Sequence, residues 1–133
     1  MREVVIVSGA RTPVGRFGGS FKDVSAPDLG ATAIKSALER SGISADMVDE
    51  VVIGNAVQAA EAGYAARLSS LKSGIPEETP TIAINRQCSS GLEAINIAAQ
   101  LIKTGEADIA IAGGTENMSR CHISLTTRHA LMV

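Results

Sequence analysis

The chain has 133 residues, a net charge of −2, 45% hydrophobic and 20% charged residues. That is the balance of one globular domain, not of a disordered chain. Phe17, Phe21 and Tyr64 are its only aromatic residues and no basic stripe interrupts the sequence, so it lacks the stacking platform and the cationic surface that nucleic-acid binding needs. No apolar run approaches the roughly 20 residues of a bilayer span, and no signal-peptide core follows Met1. The expectation is a cytoplasmic protein without a membrane partner.

In chain order, Val4-Val5-Ile6-Val7 is a short apolar run that reads as a buried strand. Ser25-Ala26-Pro27-Asp28 reads as a capping box with Pro in the first helical turn. Leu29, Ala33, Ala37 and Leu38 then form one helix face, and Gly42 supplies the stop. Val51-Val52-Ile53 is a second strand. A shorter helix fits about Ala62 to Ser73, ended by Gly74 and Pro76. Thr81-Ile82-Ala83-Ile84 alternates and reads as a weaker strand. A third helix fits about Ser89 to Thr104, ended by Gly105, and Ile109-Ala110-Ile111-Ala112 is the last strand.

The order is β-α-β-α-β-α-β, an α/β fold whose near-continuous apolar strands belong to a parallel sheet covered on both faces. The third helix carries its polar residues, Glu93, Asn96, Gln100 and Lys103, on one narrow stripe. A helix apolar nearly all round is buried on most sides, so something beyond one sheet must cover it. Met118 to Val133 has no clear period and stops on Ala130-Leu131-Met132-Val133 without a cap. That end is expected to be a truncation.

Few residues carry chemistry. Arg11 to Gly19 is glycine-rich after a strand, but it holds no Gly-Lys-Ser/Thr and no G-x-G-x-x-G, and reads as a structural loop. Cys88 lies in Asn85-Arg86-Gln87-Cys88-Ser89-Ser90-Gly91, where the fourth run meets the third helix. A thiol at a helix start faces the positive end of the macrodipole and unpaired N–H groups, which favour the nucleophilic thiolate. The alternative is a buried cysteine acting as a small hydrophobe. A nucleophilic cysteine needs a base, and the only histidines are His122 and His129, in the unpatterned tail. Cys121-His122 with His129 does not fit a structural zinc site, and no metal is expected. Two cysteines make no disulfide framework and read as reduced thiols. Glu116 and Asn117 follow the last strand, where sites of parallel sheets gather. A turn and helix start is the alternative for them.

Taken together, Val4 to Ser8, Arg11-Thr12-Pro13-Val14-Gly15, Phe17-Gly18-Gly19, Asp49 to Asn55, Asn85-Arg86-Gln87-Cys88-Ser89-Ser90-Gly91-Leu92 and Gly113-Gly114-Thr115-Glu116-Asn117-Met118-Ser119 resemble, in order, the N-terminal part of a thiolase. The resemblance covers about residues 4 to 120. It implies a layered N-terminal domain over 1–120, with 121–133 left as an unassigned tail. It implies an acyltransferase in which Cys88 attacks an acyl-CoA and carries the acyl group as a thioester, its backbone N–H helping to hold the oxyanion. The acyl group then passes to coenzyme A in degradation, or to the enolate of acetyl-CoA in synthesis. No cofactor is bound; coenzyme A and acetyl-CoA are substrates. The resemblance also implies a homodimer or homotetramer, in which the strand matching Thr81 to Asn85 pairs with its copy. A second, similar sheet from a duplicated half would cover the third helix.

Departures accompany the resemblance. The family's catalytic histidine lies in Gly-x-His-Pro and its second cysteine in Cys-x-Gly-Gly-Gly, and an Asn-Glu-Ala-Phe segment helps form an oxyanion site. None occurs in this sequence, and Cys121 and His122 inherit no role. Ala59 to Tyr64 departs from the family's usual Gly-x-Gly-Gln run. The 133-residue chain alone is therefore expected to be inactive. The alternatives to a thiolase are a catalytically incomplete chain with an interaction role, and a ketosynthase-like condensing enzyme.

Overall fold

Backbone pairing turns three of the four apolar runs into one parallel sheet. A computed structural model describes residues 2–58 and 60–121. Its strands are β1 (Glu50–Gly54), β2 (Thr81–Ile84) and β3 (Ala110–Gly114), in the order β2-β1-β3. Val51 stands opposite Thr81 on one side and Ile111 on the other. With both neighbours taken, β1 is the buried centre, and Val51 and Val52 are fully enclosed. Strand alternation sends Val51 and Ile53 to one face and Val52 to the other.

Helices cover both faces, as the near-continuous apolar strands predict. α1 (Ala26–Ser41) and α2 (Ala65–Ser73) lie on the first face, where Ile34, Val48, Ala66 and Ile75 pack with Val51 and Ile53. α3 (Ser90–Thr104) lies on the second, where Ala94 and Ala98 pack on Val52. The start of α1 is the capped one the sequence announces: Asp28 N–H donates to Ser25 Oγ at 3.1 Å, and the Ser25 hydroxyl donates to Asp28 Oδ2 at 2.5 Å. Gly42, Gly74 and Gly105 close the three helices in the left-handed region. The second helix begins later than the pattern suggests, because a 3₁₀ turn occupies Ala60–Tyr64.

The helix face read for α1 is half-buried, with Leu38 packed on the core, and one expectation, the first strand, is corrected. The most buried side of α1 is Gly30, Ala31 and Ile34, while Leu29, Ala33, Ala37 and Leu38 are half-buried. The reason is α2: a β-carbon on Gly30 would stand 2.3 Å from Ser69 Oγ, so the two helices meet through their smallest residues. The run Val4 to Val7 forms no strand. Val5, Ile6 and Val7 are 67%, 85% and 64% exposed. The segment is held at its ends instead, by an ion pair between Arg2 and Asp108 and by Arg40 Nη1 donating to Gly9 O at 2.9 Å. Apolar, β-branched composition marks a strand former, but a strand exists only where a partner offers its backbone. None among the described residues does so for this run.

α3 is only partly covered. Ser90, Ala94 and Ala98 are buried, whereas Leu92 and Ile95 are 63% and 43% exposed. Among the described residues no helix is long and apolar enough to cross a membrane.

Candidate active site

Cys88 lies in the five-residue turn between Ile84 at the end of β2 and Ser90 at the start of α3, and it is exposed. It is thus not the buried hydrophobe of the alternative reading. Short-range polar residues shape this turn. Asn85 Oδ1 accepts from Gln87 N–H at 3.0 Å, an Asx turn. Ser90 Oγ accepts from Arg86 N–H at 2.8 Å and donates to Gln87 O at 2.6 Å. The N–H groups of Ser89 and Ser90 donate to Arg86 O and Gln87 O. Under these constraints Gln87 adopts φ 53°, the left-handed region. A side chain there costs on the order of 1–3 kcal/mol, and persists only where surrounding bonds over-determine it. The strained residue directly precedes the thiol.

Glycines let α3 start deep against the sheet. Gly54 ends β1 and Gly114 ends β3, and a β-carbon on Gly114 would meet Gly54 O and Gly91 Cα at 3.2 Å. Bulk at either strand end would push α3, and Cys88 with it, away from the sheet's carboxyl edge.

Glu116 sits beside that edge. Its Oε2 accepts from Ala56 N–H at 2.8 Å and Val57 N–H at 3.0 Å, and its Oε1 accepts from Asn55 Nδ2 at 3.0 Å. Asn55 Nδ2 also donates to Thr115 O at 2.8 Å. The loop after β1 is therefore pinned to the loop after β3. It is also pinned to the Cys88 turn, because Asn85 Nδ2 donates to Ala56 O at 3.0 Å. Asn117 acts in the same way on the segment before α1: its Nδ2 donates to Phe21 O and Val24 O at 2.8 and 2.6 Å, while Ser119 Oγ accepts from Gly18 N–H of the glycine-rich run at 2.9 Å. The end of the glycine-rich run and the residues that follow it are thus docked on 117–119. A cleft of about 140 Å³ opens nearby, between Ala10 to Thr12, Leu29 and Ala33 of α1, and Gly114 to Glu116.

Cys121 is also free and exposed. His122 and His129 lie outside the described residues, as does the tail beyond Cys121. Among the described residues no three histidines, cysteines or carboxylates converge to hold a metal ion. The bridging roles of Asn55 and Asn85 are non-local. An Asn two residues before Gln87 signals an Asx turn, but nothing local shows that its other amide group reaches Ala56.

The family model described as thiolase, N-terminal domain, matches residues 4–131. The chain belongs to the thiolase family. Curated relatives agree. A probable acetyl-CoA acyltransferase of Staphylococcus aureus (strain NCTC 8325 / PS 47) is 48% identical over 120 residues, 90% of this chain and 30% of the relative. An acetyl-CoA acetyltransferase of Syntrophomonas wolfei subsp. wolfei is 50% identical over 119 residues, with the same coverage. The thiolase chain described here thus spans about 30% of the length of the curated relatives it matches. Its α/β architecture, three parallel strands between helices, is that of a thiolase N-terminal half.

Proposed function

We propose that the protein carrying this chain is an acyl-CoA C-acyltransferase of the thiolase type, with Cys88 as the nucleophile. The observation that carries this is an exposed thiol on a strained strand–helix turn, within a chain of the thiolase family. The names of the two relatives support coenzyme A thioesters as substrates.

In the first step the Cys88 thiolate adds to the carbonyl carbon of an acyl-CoA. The tetrahedral oxyanion collapses, the carbon–sulfur bond to coenzyme A breaks, and coenzyme A leaves as a thiolate that takes up a proton. Backbone N–H groups at the turn, that of Cys88 first, stabilise the oxyanion. In the second step the enolate carbon of acetyl-CoA attacks the Cys88 thioester, forming a carbon–carbon bond and expelling the Cys88 thiolate. Run backwards, the sequence is thiolytic cleavage of a 3-ketoacyl-CoA. The proton acceptor for Cys88 is proposed to come from a Gly-x-His-Pro segment, which this sequence does not contain. General-base help is worth about 10²–10⁴-fold, so the 133-residue chain alone is proposed to be inactive. The domain is proposed to occupy 1–120, and the whole protein to be a homodimer or homotetramer.

The test uses the protein encoded by the complete reading frame. After incubation with acetyl-CoA, mass spectrometry should find one acetyl group on Cys88, and Cys88→Ser should abolish it. An acetyl group on Cys121 instead, or none on any cysteine, overturns the assignment.

A further inference from the structure

We propose that Glu116 and Asn85 are positioning residues for Cys88, acting through a relay of hydrogen bonds from the end of β3 to the turn before the thiol. The inference rests on the reading of Cys88 as the nucleophile. The relay is continuous. Glu116 Oε2 holds the N–H groups of Ala56 and Val57 at 2.8 and 3.0 Å. The Ala56 carbonyl, on the same held segment, accepts from Asn85 Nδ2 at 3.0 Å. The other end of the Asn85 amide, Oδ1, accepts from Gln87 N–H at 3.0 Å. Gln87 is the left-handed residue next to Cys88.

Each link has a reason to be polar and charged where it is. The loop after β1 leaves backbone donors at the carboxyl edge of the sheet, and a carboxylate accepts two or three of them at once. Hydrogen bonds to an ionised acceptor are roughly twice as strong as neutral ones. Asn85 is exposed and contributes little to any core. Its amide touches both the held loop and the strained turn. The bonds that Glu116 and Asn85 make run to the loop and the turn and not to the sulfur, so the relay acts by fixing where the turn holds it.

The test compares Glu116→Ala, Glu116→Gln and Asn85→Ala in the complete protein. The acetylation rate of Cys88 by acetyl-CoA should fall about tenfold in Glu116→Ala and Asn85→Ala, less than the roughly 10²-fold that a full 1 Å misplacement can cost. KM should stay within about twofold, because the interaction lost is not made to the substrate. Glu116→Gln, which keeps an acceptor oxygen, should recover part of the rate. Alkylation of Cys88 by iodoacetamide should slow about threefold in the two alanine variants, since thiolate reactivity follows its microenvironment. Folded variants that alkylate and acetylate at the wild-type rate overturn the proposal. If Glu116→Ala does not fold, Asn85→Ala decides. If wild-type Cys88 takes no acetyl group, the functional reading fails, and the alkylation comparison still decides the relay.

Discussion

Gly54 and Ser90 approach so closely that a β-carbon on the glycine would lie 2.4 Å from the Ser90 carbonyl carbon. The obstacle is backbone, so no rotamer change can relieve it. Gly54→Ala should therefore move the start of α3, with a cost of about 1–3 kcal/mol by analogy with overpacked cores. A lowered urea midpoint at constant slope, with slower alkylation of Cys88, is the expected result. An unchanged midpoint would show that α3 can retreat freely.

Gln87 tests the turn itself. Its φ of 53° suits glycine or asparagine and penalises a β-branched residue most. Gln87→Val should destabilise the protein by about 1–2 kcal/mol more than Gln87→Gly. Paired denaturant titrations of the two variants measure the difference.

Glu50 supplies a pH dependence on the basic side. Burial at the start of β1 pushes its carboxyl above the usual 4.5, although a bond from the Val51 backbone opposes this, and its Oε1 is enclosed without a hydrogen-bond partner among the described residues. A raised folded value means that its contribution is fully present below the ordinary value and is lost as pH rises through the folded one. Glu50→Gln should remove that loss and raise the melting temperature at pH 7 more than at pH 4. Equal shifts at the two pH values would assign the effect to packing instead.

Asp28 and Asp49 act in the opposite sense. Lys72 and Ser25 hold Asp28 below the usual 3.8, and backbone N–H groups of Ile109 and Asp108 do the same for Asp49. Their stabilisation is present above the ordinary value and is lost as pH falls through the lowered ones. Asp49→Asn should lower stability at pH 6 and flatten the acid limb of a stability–pH curve. An acid limb as steep as the wild type's would exclude Asp49 as a contributor.

Much of this was legible in the residues because it is local. Ser25 with Asp28, and the three closing glycines, announce helix ends within a single turn of chain. Val51 to Ile53 announces a strand covered on both faces. What was illegible is non-local. Nothing in Val4 to Val7 says that its neighbours in the sheet fail to pair with it. Leu29 and Ala33 look as eligible for the core as Gly30 until α2 is in place. Glu116 could be seen as a residue at the right edge of the sheet, but its three donors lie some sixty positions earlier. The position of Cys88 needed only the junction of a strand with a helix, whereas the relay behind it needed the register of all three strands.

The strand order also sets a sequence of events in folding. β1 pairs first along the chain with β2, Val51 against Thr81, across a crossover that contains α2. Its other side waits for β3, with Glu50 against Ala110, a closure spanning twice as much chain. Doubling a loop adds only about 0.6 kcal/mol of closure entropy, so the delay is one of synthesis more than of energy. A ribosome must deliver the GGTEN segment before Glu116 can seize the loop after β1. Until then a nascent chain exposes one open side of its central strand. Through the proposed relay, the turn that presents Cys88 is held in its final shape only once β3 has arrived.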